Sequence, residues 1–284
     1  VHLHMPLSKE ALEFGADVLL EKPMTATVAE ADELAQVIKK TGKTVSVVHN
    51  HKFYPGVVEA IELIKSGALG TLTHVHREMS FVNSQVRVME SDHWAHQIPG
   101  GRLFEANPHN LYLLYNFMGK FELSSMHARK VSDRWPHAKI DEFLATGKND
   151  ITTMSLHACM HHEDTAQFGD RGPVFFTLIG TKGTAVGTYH KTELLGISAE
   201  HVLRKAVRNK LNRMFGKSFP ELRDVQGNQV KIGVGSGHYY YMREYVKFLK
   251  KETDTPPVSW EEAYFTEAMN EEMGYAVEHH LKSK

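Results

Sequence analysis

Among 284 residues the chain has a single cysteine, Cys159, so no disulfide can form within it. Such thiol usage fits a reducing compartment, and the expectation is a cytoplasmic location. No apolar run approaches the roughly 20 residues needed to cross a bilayer. The opening residues Val1-His2-Leu3-His4 also lack the basic-then-apolar pattern of a secretory leader. Charge of one sign is missing too: 33 Lys and Arg stand against 34 Asp and Glu, a formal net of −1. A surface without a dominant sign makes no global claim on nucleic acid or on a membrane. Repeats and low-complexity stretches are absent. What is present is 42% hydrophobic and 24% charged, the balance of a folded chain with a real core. Nineteen histidines are the compositional excess, and they raise the question of metal.

Periodicity organises the chain into helices and strands. Ser8 to Phe14 has helical spacing and stops at Gly15. Ala16 to Leu20 is a short apolar strand. Thr27-Val28-Ala29-Glu30 has capping-box spacing, and the helix it opens carries Ala31, Leu34, Ala35 and Ile38 on one stripe up to Gly42. Thr44 to Val48, rich in β-branched residues, is the next strand. Strand, helix and strand with this crossover form a βαβ unit, which pairs its strands in parallel. Pro55 then opens a helix ending at Gly67. Thr71 to Phe81 reads as a strand, and Leu111 to Met118 as an apolar helix ended by Gly119. From Ile151 to Tyr189 short β-rich runs alternate with glycine breaks, the pattern of an antiparallel meander. Helices Tyr239 to Lys250 and Glu261 to His280, parted by Pro256-Pro257, close the chain.

Two motifs carry chemistry. Glu21-Lys22-Pro23 follows the apolar strand directly. A lysine leaving a buried strand is a poor packing choice, and the proline after it stops the ladder. Such a residue brings an amine to the carboxyl end of a sheet, where open α/β folds bind ligands. The second motif is Gly100-Gly101, then Glu105, then Pro108-His109. Spacing of four places Glu105 and His109 on one helical face, so the carboxylate is expected to orient the imidazole. Pro108 removes a hydrogen bond to residue 104, so a helix should begin near it, with the proline in the first turn.

Together these motifs resemble the Gfo/Idh/MocA family of NAD(P)-dependent oxidoreductases. His49-Asn50-His51-Lys52-Phe53-Tyr54-Pro55 matches the family's next segment, with Lys52 where arginine is usual, a swap that keeps charge but loses the bidentate fork. Glu105 stands where aspartate is commoner. Weaker matches follow in order: His93-Trp94, Gly180-Thr181-Lys182-Gly183-Thr184 and Pro256-Pro257-Val258. The resemblance implies an α/β fold in which residues 1–52 are the last part of a Rossmann domain, with parallel βαβ pairing. Residues 53–284 would form an α/β domain with a large, mostly antiparallel open sheet. It further implies hydride transfer between NAD or NADP and a carbinol or carbonyl carbon of a sugar, inositol or similar polyol. Lys22 would hydrogen-bond the reacting oxygen. His109 would take the hydroxyl proton. Glu105 would hold His109 or bind a neighbouring hydroxyl, and Trp94 would pack on a sugar face. Glu21, Lys22, Pro23 and Asn50 would face the cofactor. No glycine-rich phosphate-binding turn precedes Glu21, so the cofactor site is expected to be incomplete, and the chain an N-terminally shortened piece inactive alone. Two alternatives stay open: a glycosidase assisted by the same nicotinamide, and a non-catalytic remnant serving as a binding or oligomerisation module.

His157 and His161 have i, i+4 spacing, but the local pattern is a strand, which would not converge the two imidazoles; no metal is expected. Residues 201–217 alternate an apolar stripe (Leu203, Val207, Leu211, Met214) with lysine and arginine, and are read as a solvated helix face. Val174, Phe175, Phe176, Leu178 and Ile179 put apolar groups on both faces of one strand. A homodimer or homotetramer through the sheet is therefore expected.

Overall fold

The computed structural model describes residues 1–80, 90–160, 174–189, 191–195 and 237–282; the expectations for Phe81, His161 and residues 201–217 lie outside them. Helix α1 (His4–Glu13), strand β1 (Val18–Glu21), helix α2 (Val28–Thr41) and strand β2 (Val45–Val48) come first. β1 and β2 pair in parallel, Val18 opposite Val45 and Glu21 opposite Val48, as the crossover length requires. The expected cap forms, with the reciprocal bond shifted one residue ahead of the N-cap Thr27. Thr27 Oγ1 accepts from the Glu30 amide at 3.2 Å, and Glu30 Oε2 accepts from the Ala26 amide at 2.9 Å. Gly42 ends α2 at φ 66°, a left-handed conformation that glycine adopts without strain.

A 3-10 turn over Asn50–Phe53 leads to α3 (Pro55–Lys65), β3 (Leu72–Ser80), α4 (Arg102–Ala106) and α5 (Pro108–Met118). Strands β4 (Glu122–Arg129), β5 (Glu142–Lys148), β6 (Thr153–Cys159), β7 (Val174–Gly180), β8 (Gly183–Gly187) and β9 (Thr192–Leu195) follow, then α6 (Gly237–Leu249) and α7 (Trp260–Lys282). Among the described residues, seven strands form one sheet in the order β4-β5-β6-β3-β7-β8-β9. All neighbours are antiparallel except β3 and β6 at its centre, which run parallel. The sheet thus begins earlier than Ile151, where the glycine-broken pattern starts. β4 and β5 read ELSSMHAR and EFLATGK, almost without the β-branched residues that mark strands.

One face of the sheet is covered. Val75, Phe143, Leu156, Phe176 and Leu178 pack there with Leu111, Leu113, Leu114 and Phe117 of α5 and Met269, Met273 and Val277 of α7. The other face is polar along β3 and β6, where His74, His76, Glu78, Ser155 and His157 are half-buried. On β7 the described side chains put apolar groups on both faces. Phe176 and Leu178 are fully buried, whereas Ile179 is 39% exposed on the opposite face; the side chains of Val174 and Phe175 lie outside the described residues. A second core joins Leu34, Val45 and Val47 to Tyr112 of α5, Tyr241 and Tyr245 of α6, and Val258 and Ala263 near the start of α7. Helices α5 and α7 therefore serve both cores. Ser46 of β2 ties β2 to the second core, its hydroxyl 2.6 Å from Tyr241 Oη and 2.8 Å from the Val258 carbonyl.

Candidate active site

The carboxyl ends of β1 and β2 meet the start of α5 at a cleft of about 370 Å³, lined among others by Glu21, Lys22, Asn50, His51, Arg102, His109, Tyr189 and His238. Lys22 arrives because β1 ends at Glu21, and the cis Lys22–Pro23 bond follows it. Its ammonium donates to the Glu105 carbonyl at 3.0 Å and to Glu105 Oε1 at 2.5 Å. Glu105 Oε2 accepts from Arg102 Nη1 at 2.6 Å. Burial opposes ionisation of Glu105, but Lys22 and Arg102 outweigh it and hold the carboxyl below its usual range.

His109 lies on the first turn of α5, next to Pro108 at its expected N1 place. It stacks on His51, ring centroids 3.6 Å apart at 12°. His51 in turn is held by Tyr189, whose Oη is 2.6 Å from Nδ1. Burial first, then His51 and Lys22, push His109 well below the ordinary imidazole value. Burial and Arg77 do the same for His51. Both rings are neutral at physiological pH, and a neutral imidazole is the proton-accepting form. Nδ1 of His109 is buried without a hydrogen-bond partner, an arrangement that persists where a ligand or a reaction uses the atom.

The cleft differs from the sequence reading in two respects. Glu105 does not orient His109; its carboxylate is committed to Lys22 and Arg102, because α4 ends at Ala106 and α5 starts afresh at Pro108. Imidazole orientation comes instead from His51 and Tyr189. Trp94 does not line the cleft. It lines a smaller crevice of about 40 Å³ with Pro23, Phe104 and Glu105, because it opens a separate 3-10 turn (Trp94–His96) capped by His93. Asn50 and Glu21 are in the cleft as expected, Asn50 Nδ2 lying 3.0 Å from His238 Nδ1; Pro23 faces the crevice. Sequence reasoning missed His51, Arg102, Tyr189 and His238 as site residues. For His51 a signal existed, since it follows Asn50 at the end of a strand. Tyr189 and His238 arrive from distant parts of the chain with no local pattern to mark them.

A cofactor of the nicotinamide type is compatible with the residues present. His109, Lys22 and Asn50 line one cleft at the carboxyl ends of a parallel strand pair, the place where such folds bind ligands.

Comparison with known proteins places the fold. Residues 1–49 match the family model "Oxidoreductase family, NAD-binding Rossmann fold", and residues 57–186 match "GFO/IDH/MocA C-terminal domain". The uncharacterized oxidoreductase YdgJ of Escherichia coli is 34% identical over 110 residues, 38% of this chain and 31% of that protein. D-xylose dehydrogenase of Paenarthrobacter nicotinovorans is 29% identical over 143 residues, 49% of this chain and 37% of that one. The chain thus spans about a third of the length of these two curated relatives. Among solved structures, an Agrobacterium radiobacter oxidoreductase in complex with NAD+, L-tartaric acid and magnesium superposes with a TM-score of 0.73 at 13% identity, covering 97% of this chain and 75% of that one. The WlbA dehydrogenase of Bordetella pertussis, in complex with NADH and UDP-GlcNAcA, gives 0.69 at 15% identity, covering 99% and 75%. With both family models matched in order along the chain and the same fold in these structures, the chain belongs to the Gfo/Idh/MocA family of oxidoreductases.

Proposed function

We propose that this cleft is the substrate side of an NAD(P)-dependent dehydrogenase acting on a CH–OH group of a sugar or related polyol. The observation that carries the reading is the convergence of Lys22 and the half-buried, neutral His109 on one cleft. The nicotinamide, when bound, supplies the hydride acceptor; Glu21, Lys22 and Asn50 are the residues placed to face it. The chain's own residues handle the proton and the charge. His109 takes the hydroxyl proton, stacked in place by His51. The Lys22 ammonium, steadied by Glu105, donates to the same oxygen as negative charge develops on it. Half-burial of both histidines limits the water that competes for that proton. Sugar dehydrogenases among the relatives, including a D-xylose 1-dehydrogenase [NADP(+)] of Haloarcula marismortui, support an aldose or polyol as the substrate class.

The test uses the natural full-length gene product. Turnover of aldoses and polyols with NAD+ and with NADP+ is followed by nicotinamide absorbance. An active substrate labelled with deuterium at the carbinol carbon is expected to show a primary isotope effect. Lys22→Met and His109→Asn are each expected to lower kcat by about 10²-fold or more, as loss of an oxyanion-type donor or a general base does. Near-parental kcat in either variant removes that residue from the mechanism, and silence across the panel removes the substrate class.

A further inference from the structure

The open face of the sheet carries a cluster that the cleft does not use. A carboxylate oxygen of Glu78, a ring nitrogen of His157 and the Cys159 thiol lie within 4.8 Å of one another. Three strands assemble it. Glu78 on β3 stands opposite His157 on β6 across the parallel pair, and Glu142 on β5 stands opposite Cys159. His157 and Cys159 are two residues apart on one strand, so both project to the same face, while Leu156 and Ala158 between and beside them are fully buried in the core. His157 Nδ1 faces Glu78, 2.8 and 2.9 Å from its two oxygens, and Nε2 faces Glu142 Oε1 at 2.9 Å.

We propose that Glu78, His157 and Cys159 form a zinc-binding site that cross-links β3 and β6 on the open face of the sheet. The donor set is one carboxylate, one imidazole and one thiolate, which suits Zn2+ and excludes Mg2+ and Ca2+, whose sites are built from oxygen. Zinc bonds of about 2.0–2.3 Å put tetrahedral ligand atoms some 3.3–3.7 Å apart, so side-chain adjustments of about 1 Å close the site. Glu142 completes it from outside. By accepting from Nε2–H it fixes the tautomer that turns the Nδ1 lone pair toward the metal, the support that metal-bound histidines commonly have. On binding, the proton between Nδ1 and Glu78 and the thiol proton pass to solvent, and the fourth position is left to water. The cross-link falls on the parallel pair among the sheet's neighbours, the less stable kind of pairing per residue.

Cobalt(II) is the probe that separates this site from the many surface histidines. Added to the full chain at one equivalent, Co2+ is expected to give a thiolate-to-cobalt charge-transfer band in the near ultraviolet and tetrahedral d–d absorption. One equivalent of Zn2+ should bleach both and raise the melting temperature. Cys159→Ser is expected to abolish the charge-transfer band, and Cys159→Ser and His157→Gln each to weaken Zn2+ binding by at least about tenfold. Glu142→Gln should keep the band while weakening affinity about 10-fold, as loss of an outer-shell partner does. A parent protein without the charge-transfer band overturns the site, whatever the variants do. So does Zn2+ affinity that is unchanged in Cys159→Ser and His157→Gln, which would leave the cluster a hydrogen-bonded network alone.

Discussion

An ammonium has three N–H donors, and Lys22 has two of them on Glu105, through its carbonyl and its carboxylate. One donor is left, enough for a single oxygen and too few to grip a two-pronged anion. The placement of Lys22 and His109 in the cleft was legible in the sequence because each breaks a packing rule where it stands: a lysine ending an apolar strand, a histidine beside a helix-opening proline. The partner of Glu105 was not legible, since it depends on where the chain turns 83 residues earlier. Glu267 makes a separate point at this scale. Its Oε1 accepts from the Met24 amide at 2.8 Å, and burial raises its pKa to about 8. A carboxyl raised this far binds its proton more tightly folded than unfolded. Its contribution to stability is therefore complete below the usual carboxyl range and is lost as pH rises toward 8. Glu267→Gln keeps an acceptor for Met24 and does not titrate. Relative to the parent it is expected to gain stability between pH 5 and 8 at up to about 1.4 kcal/mol per pH unit, read from urea denaturation at several pH values. A variant that parallels the parent across that range would refute the assignment.

At the scale of elements, the α4–α5 junction explains both a success and a failure of sequence reasoning. Pro108 lacks an N–H, so the Phe104 carbonyl loses the helical bond it would have received. Asn270 of α7 replaces it, donating from Nδ2 at 3.1 Å, while its Oδ1 accepts from Asn107 at 3.0 Å. The proline's place could be read from the sequence, but the partner that makes it tolerable could not, because it comes from 166 residues away. Asn270→Ala is expected to cost about 1–3 kcal/mol by leaving buried groups unpaired. Adding Pro108→Ala should recover part of that loss by restoring the backbone bond. Additive losses in a double-mutant denaturation cycle would show that Asn270 does not stand in for the missing N–H. Periodicity found α2, α3, α5 and the closing helices, where one face is apolar or a cap is present, and it missed β4 and β5. In β5 the inward positions are Phe143, Ala145 and Gly147. Gly147 is required there, since a Cβ would lie 2.5 Å from the Glu122 carbonyl oxygen, but glycine and alanine look like loop residues to any propensity scale.

On the scale of the whole molecule, α5 and α7 tie the two cores together. Tyr112 belongs to one core and its neighbours Leu111 and Leu113 to the other; α7 is divided in the same way, Ala263 on one side and Met273 on the other. A helix apolar on all sides is one buried on all sides, and the apolar reading of Leu111 to Met118 held that information without saying what lay on each side. The expected consequence is a single cooperative unfolding transition, with far-ultraviolet circular dichroism and tryptophan fluorescence coinciding in denaturant. Two separated transitions would mean that the cores are held together more loosely than the shared helices imply. The shared helices also set the terms on which this protein can exchange parts with its relatives. A chimera that imports residues 1–49 alone would bring a foreign β2 against a resident Tyr241, Tyr112 and Val258, with no slack in either helix to absorb the mismatch. The unit of inheritance is therefore discontinuous in sequence: the first fifty residues together with the faces of α5, α6 and α7 that complete them.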